Sequence, residues 1–167
     1  MTTTTLRALP DYTSRGARAL VLLHADALRD FVSVWVRAHD AGLALPASDD
    51  PSYASLQTLL SHVLRAARGY MVWTCEQVGL PEAGLVEVPE PEALAPGAAL
   101  DALVDELLAG WERPLAAVGD DVIDGNDVFT SRWGVAYCID AMLEHAVMHP
   151  IRHAFQLREL LGESGTR

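Results

Sequence analysis

The chain has 167 residues, of which 50% are hydrophobic and 7% are aromatic, and its formal net charge is −11. This length suffices for one domain with its own core and is short for two, so residues 1–167 are expected to form a single domain. The negative charge repels phosphate backbones and anionic lipids, which excludes nucleic acid and membranes as expected partners. Residues 1–7 lack the long apolar core of a signal peptide, and a cytoplasmic location is the expectation.

Apolar residues recur at helical spacing in four long segments of the chain. The predicted helices span residues 14–41, 53–78, 98–118 and 133–161. Ser52 fits the N-cap of the second helix, and Thr130 or Ser131 fits the N-cap of the fourth. Pro114 is expected to end or bend the third helix. Because no segment shows a convincing strand pattern, the sequence predicts an all-α four-helix bundle.

The connections between the predicted helices differ in length and composition. Residues 42–51 contain two prolines and are predicted to form a loop. Residues 81–98 contain four prolines and four glutamates without helical periodicity, which predicts a long crossover loop between the second and third helices. Residues 119–126 are predicted to form an acidic turn. A calcium loop there is rejected because Val122 occupies the third position of such a loop and Ser131 stands where its bidentate glutamate belongs.

The fourth predicted helix carries histidines at steps of four, and two of them fall on its inward face. Residues four apart lie on the same side of a helix, so His149 and His153 can present their imidazoles to a common point. Polar groups buried without partners cost about 1–3 kcal/mol each, and a divalent metal would satisfy both rings. The pattern therefore predicts a metal site. The inward face consists of Ile139, Met142, Ala146, His149, His153, Gln156 and Leu160.

A third ligand is needed, because catalytic zinc centres use three protein ligands and keep one position open. His62 borders the apolar stripe of the second predicted helix and can point across the bundle, so His62, His149 and His153 are the preferred ligands. His24 lies near the inward stripe of the first helix. It is the second choice for the third ligand, or else a residue that contacts the ligands without binding the metal. His39 stands near a helix end and is expected at the surface. The histidines available for the third position are His24, His39, His62 and His145.

Two short motifs resemble those of the DinB-like superfamily of metal-binding four-helix bundles. In that superfamily one histidine lies on the second helix in a Leu-x-His-apolar stretch, matched here by residues 60–63, Leu-Ser-His-Val. A His-x-x-x-His-x-x-Gln stretch follows on the fourth helix, matched here from His149 to Gln156. The resemblance covers the whole chain in the order and spacing of its elements, including the long crossover between helices two and three. It implies a bundle of that type with His62, His149 and His153 as metal ligands.

The chain departs from the superfamily pattern at two points. Many members have Arg-Gly directly after the second histidine of the pair, where this chain has Ala154 and Phe155. Pro150 lies inside the motif and lacks the amide that would bond to Ala146, so a local kink is expected. Both changes alter the wall of the predicted pocket.

Three neutral imidazoles leave the full charge of a bound metal in place, which acidifies a water or thiol beside it. Two reactions are then available: transfer of a low-molecular-weight thiol to an electrophile, or metal-dependent hydrolysis. The chain lacks the glutamate of a His-Glu-x-x-His motif, which weakens the hydrolase interpretation. The superfamily includes bacillithiol- and mycothiol-dependent S-transferases and, more distantly, maleylpyruvate isomerase, and the resemblance therefore favours the thiol reaction. Zinc is the expected metal, and nickel or iron also suits imidazole ligands.

Two further expectations concern alternatives and assembly. If His24 or His145 closes the site as a fourth ligand, the protein is a non-catalytic metal-binding bundle. The resemblance implies a homodimer, since family members often pair. Leu22, Leu28 and Trp35 lie outside the main apolar stripe of the first helix and are expected to supply surface for that contact.

Overall fold

The computed structural model describes residues 11–81 and 84–163, so residues 1–7, which bear on the expected location, lie outside the described residues. Two-residue strands, β1 Phe129–Thr130 and β2 Ala136–Tyr137, pair antiparallel. The predicted all-α class is confirmed, although the sequence did not predict this hairpin. Across the described ranges, no helix is both long and apolar enough to cross a bilayer. The helices found there are α1 Arg15–Asp40, α2 Leu56–Val78, α3 Ala98–Ala116, the short α4 Asp120–Ile123 and α5 Ile139–Leu160.

The start of α2 is set by a reciprocal pair of side-chain hydrogen bonds. The Ser55 hydroxyl accepts from the Thr58 amide at 3.0 Å, and the Thr58 hydroxyl accepts from the Ser55 amide at 2.8 Å. This capping box satisfies two amides that the helix itself leaves free. The predicted cap at Ser52 is wrong, because Pro51–Tyr53 forms a separate 3₁₀ turn in which Asp50 accepts from the Ser52 amide at 2.8 Å.

The start of α5 differs most from the prediction. Thr130 belongs to β1, and the Ser131 hydroxyl closes the hairpin turn by accepting from the Val135 amide at 3.1 Å and donating to the Val135 carbonyl at 2.7 Å. The predicted caps at these two residues are wrong because both serve the hairpin. Cys138 is the N-cap instead, and the helix begins at Ile139 rather than at residue 133.

The third predicted helix and its neighbours follow the sequence closely. α3 continues through Pro114 and ends at Ala116, near the predicted residue 118. The predicted acidic turn contains the short helix α4, whose Ile123 is buried. The crossover between α2 and α3 is confirmed over its described residues, and it lies against the helices with Leu85 buried on Gly110. A side chain at residue 110 would collide with that leucine, so glycine allows the close approach.

The inward face of α5 agrees with the prediction except at its C-terminal end. α5 packs against α1 and α2, and α1 also packs against α3. Leu160 is 41% exposed whereas Leu157 is fully buried, so the prediction is wrong there. A strict repeat of 3.5 residues drifts by about 20° per heptad relative to a straight helix, which moves the buried face off the predicted line. The predicted members that are buried are Ile139, Met142, Ala146, His149 and His153.

Two apolar residues of α1 that the sequence assigned to an external face are buried within the chain. Leu28 and Trp35 are both 0% exposed, and Trp35 Nε1 donates to the Leu56 carbonyl at 2.6 Å. The expected surplus of apolar surface is wrong for these two residues, because α1 packs against other helices on more than one side. Leu22 is half-buried, and Leu23 is 54% exposed. The homodimer stays a prediction.

Candidate metal centre

Three histidines from α2 and α5 converge inside the protein. His149 Nε2 lies 3.1 Å from His62 Nε2, which joins the two helices directly. One ring nitrogen from each of His62, His149 and His153 lies within 4.8 Å of the others. The spacing of four residues on α5 and the inward position on α2 therefore bring together the three residues preferred from the sequence. Such a set of imidazole nitrogens could hold a metal ion. We call it the histidine cluster.

A carboxamide behind the cluster orients one of the imidazoles. His153 Nδ1 lies 2.9 Å from Gln156 Oε1, and the Tyr53 hydroxyl donates to the same oxygen at 3.2 Å. An amide oxygen can only accept, so Nδ1 carries the proton and His153 Nε2 keeps its lone pair. Metal-bound histidines commonly have such an outer partner, which fixes the tautomer and the ring orientation.

Tyr53 is the member of this group that the sequence did not identify. It lies 100 residues from His153 in the chain, and its hydroxyl is 3.3 Å from His153 Nδ1. The sequence pattern predicted it only as the first residue of a helix. No local signal connects the two residues, since their contact depends on how the 3₁₀ turn packs against α5.

The unpaired nitrogens of the cluster test whether a metal fits. Among the described residues, His153 Nε2 and His149 Nδ1 are buried without a hydrogen-bond partner. A buried polar atom left unpaired costs about 1–3 kcal/mol. A metal at the common point would take the lone pair of His153 Nε2 together with those of the two facing Nε2 atoms. The donor set therefore fits a divalent ion that accepts imidazole ligands, although His149 Nδ1 gains nothing from it.

The electrostatics of the cluster keep its imidazoles neutral. Burial, reinforced by the neighbouring imidazoles and Arg152, lowers the pKa of His149 to about 2. Burial likewise lowers the pKa of His153 to about 4, against the opposing effect of the hydrogen bond that His153 donates to Gln156. Burial also lowers the pKa of His62, against the opposing charge of Asp50. Near neutral pH the three rings are thus uncharged, each with one nitrogen lone pair, which is the form that binds a metal.

The other candidate histidines lie outside the cluster. His24 is fully buried and stacks on Trp111, with ring centroids 3.8 Å apart. His39 lies at the partly exposed end of α1, with its Nδ1 3.6 Å from Asp40, in agreement with its expected surface position. His145 is half-buried on α5. Within the described residues the cluster therefore consists of three histidines without a fourth His, Cys, Asp or Glu ligand.

Pro150 does not interrupt the helix that carries two of the histidines. α5 runs continuously from Ile139–Leu160, and Pro150 is buried within it. The proline ring removes one helical amide, so the Ala146 carbonyl lacks its usual donor. The expected kink stays a prediction, while His149 and His153 keep the one-turn relation that directs both rings to the cluster.

A cleft of about 580 Å³ reaches the cluster from the side of α2. His62 and Tyr70 from α2 line it together with Trp133 at the turn of the hairpin. The ring of Tyr70 lies 5.8 Å from that of His149, so the cleft and the cluster share a wall. Burial raises the pKa of Tyr70 to about 12, and its hydroxyl remains a donor at neutral pH. The cleft gives a small molecule access to the histidines.

No family model, curated protein or solved structure matches the chain. Its function is therefore inferred from the site itself. That site combines three neutral histidines that could hold a metal ion, a carboxamide that orients one of them, and a cleft that leads to another.

Proposed function

We propose that the protein is a divalent-metal-dependent enzyme that transfers a low-molecular-weight thiol to an electrophile. His62, His149 and His153 are its metal ligands, with zinc as the first choice and nickel or iron as alternatives. The convergence of one nitrogen from each histidine within 4.8 Å is the observation that carries this proposal. We further propose that the helices form a four-helix bundle of the DinB-like type, on the basis of the two motifs and the order of the elements.

The chemistry follows from the charge of the site. A divalent metal held by three neutral imidazoles supplies a Lewis acid that lowers the pKa of a thiol or water placed beside it. The thiolate sulfur attacks the electrophilic carbon and forms a carbon–sulfur bond, the leaving group departs with its bonding pair, and the thiol proton passes to solvent. Gln156 holds His153 in the tautomer in which Nε2 carries the lone pair that binds the metal. Tyr70 stays protonated and can donate a hydrogen bond to the negative charge that develops on the leaving group.

Two alternatives are less well supported by the same residues. A hydrolase needs a group that activates and directs water, and the described ligand group contains no carboxylate. A purely structural metal site is usually closed by four protein ligands, whereas His24 and His145 both lie outside this cluster. The cleft beside His62 also favours an open position over a closed one.

The proposal is tested by metal analysis followed by paired activity assays. Purified protein should contain about one metal per chain, and the loaded protein should accelerate conjugation of a small thiol to a chloronitrobenzene. His149→Ala should lose both the metal and the rate. His39→Ala is the matched control, since it removes a histidine at the exposed end of α1 and should change neither.

The outcomes separate the three candidate functions. Metal-dependent hydrolysis of an ester without thiol transfer would replace the transferase proposal with a hydrolase. Stoichiometric metal without activity in either assay would identify a non-catalytic bundle. Protein that cannot be loaded with zinc, nickel or iron would reject the metal site itself.

A further inference from the structure

Two arginines line the cleft beside His62, on a strongly acidic protein. Arg65 follows His62 by three residues on α2, and Arg132 stands in the turn of the hairpin, so two separate elements each contribute an arginine to the lining of the cleft. Within the part of the chain that the structure describes, its lining residues include neither Asp nor Glu. The chain as a whole has 23 acidic residues against 12 basic ones, all of them arginine. The lining of this cleft therefore presents two positive charges on a protein that is acidic overall, each of them with a glutamate nearby.

Aromatic side chains form the apolar part of the same cleft. Tyr70, Trp73 and Trp133 line it, and the rings of Tyr70 and Trp133 meet edge to face at 6.1 Å. Trp133 is 50% exposed, which is unusual for the largest apolar side chain and leaves its surface free to contact a ligand. Arginine, tyrosine and tryptophan together are typical of sites that hold a flat group and an anion at once.

We propose that this cleft binds an aromatic anion, with its carboxylate attracted by the cleft arginines Arg65 and Arg132 and its ring against Trp133 and Tyr70. The binding itself needs only the cleft. The inference that such an aromatic acid is the electrophile of the enzyme rests on the proposed function. The ligand would lie beside His62, with its ring on Tyr70, whose own ring is 5.8 Å from that of His149.

Existing ion pairs do not block this use of the arginines. Arg65 lies 3.0 Å from Glu90, whose side chain is 78% exposed, and Arg132 lies 3.4 Å from Glu76, which is 49% exposed. Exposed pairs of this kind contribute about 0–1 kcal/mol, because water screens them and side-chain entropy opposes them. Each guanidinium has five donors, so a carboxylate can be bound beside the glutamate or in its place. Glu90 should act as an internal competitor for Arg65.

The experiment compares two probes that differ only in charge, on protein freed of metal with a chelator. Binding of 2-naphthoate and of the uncharged 2-naphthamide is followed by calorimetry at low and high salt. The acid should bind about tenfold more tightly than the amide at low salt, and the difference should shrink as salt is added. Arg65→Gln and Arg132→Gln should each weaken the acid about fivefold and leave the amide unchanged. Glu90→Gln should strengthen the acid about twofold to threefold, because it releases Arg65.

Two controls keep the result interpretable. Arg29→Gln removes an exposed arginine of α1 that is paired with Asp105 at 3.1 Å and lies outside the cleft, so it should have no effect. Trp133→Ala should weaken both probes, and the circular dichroism and melting temperature of each variant should match those of the parent. Equal affinity for acid and amide, or an unchanged acid affinity in both cleft arginine variants, would overturn the proposal.

Metal binding and naphthoate binding are measured separately, so either site can be rejected while the other is retained. Naphthoate bound by metal-free protein that never takes up a metal would retain the anion site and reject the transferase. If the protein takes up metal but binds the acid and the amide equally well, the metal site is retained and the anion site is rejected.

Discussion

The histidine cluster and the isolated His24 are two places where the core holds imidazole, and they differ in what surrounds it. In the cluster, His149 and His153 are 6% and 1% exposed, and their ring nitrogens face a third histidine. His24 is 0% exposed and lies face to face with Trp111, at an interplanar angle of 10°. Among the described residues both nitrogens of His24 lack a hydrogen-bond partner.

Comparison of the two sites shows which properties distinguish a candidate metal ligand from a buried structural histidine. Burial lowers the pKa of His24 to about 3 and, with help from its neighbours, that of His149 to about 2, so a depressed pKa does not separate the two sites. An unpaired buried nitrogen also occurs in both. What distinguishes the cluster is the convergence of several nitrogens and the outer partner Gln156 that orients one ring.

The largest expected effect is the loss of metal when a cluster residue is removed. His62→Ala, His149→Ala and His153→Ala should each lower zinc affinity by more than about 100-fold, since loss of even an outer partner costs about 10–100-fold. Calorimetric titration and metal content measure this. His24→Leu, which removes an equally buried histidine, and His39→Ala should leave the affinity unchanged. If His62→Ala still binds a full equivalent of zinc, His62 is not a ligand. If His24→Leu loses zinc, His24 belongs to the site.

The next largest expected effect is on zinc affinity when Gln156, the hydrogen-bond partner of His153, is replaced. Gln156→Leu should lower zinc affinity by about 10–100-fold, because His153 loses the acceptor that fixes its tautomer. Tyr53→Phe should have a smaller effect in the same direction, since it leaves the 2.9 Å contact between His153 and Gln156. Gln77→Leu on α2 serves as a control outside the cluster. If Gln156→Leu binds zinc as tightly as the parent, the carboxamide does not orient the ligand.

Acid should destabilise the protein through His24. Its pKa is about 3 in the folded protein and about 6.5 when unfolded, so below pH 6.5 only the unfolded state takes up this proton. The contribution to stability is thus complete above pH 6.5 and is lost as pH falls toward 3. Relative to His24→Leu, the parent should lose about 1.4 kcal/mol of unfolding free energy per pH unit in that interval. Urea unfolding of the metal-free proteins between pH 7 and 4.5 measures the difference, and parallel pH curves would contradict the assignment.

The smallest expected effect is at pH 8, where His24 is neutral in both states. His24→Leu should stabilise the fold by about 1 kcal/mol, because removal of two unpaired nitrogens outweighs the loss of stacking on Trp111. Urea unfolding of metal-free protein provides the value. A loss of more than about 2 kcal/mol would indicate that the imidazole has a partner in solution and that the stacked pair is better satisfied than its geometry indicates.

The sequence identified most of the helices and the candidate ligands because those features depend on local repetition. A step of four residues places His149 and His153 on one helix face whatever the rest of the chain does. The apolar stripe of α2 likewise indicated that His62 borders the core. Both patterns follow from the 3.6-residue period of the backbone, which needs no information about neighbouring helices.

The contacts between polar and aromatic groups that are distant in the chain depend on how the helices pack. The hairpin that delays the start of α5 sets Trp133 against Tyr70, and the turn before α2 brings Tyr53 to Gln156, over 103 residues of sequence. His24 and His62 both border apolar stripes, yet one meets a tryptophan face and the other meets two histidines. Periodicity determines which side of a helix is buried. The rotation and offset of the packed helices determine what each buried side chain contacts.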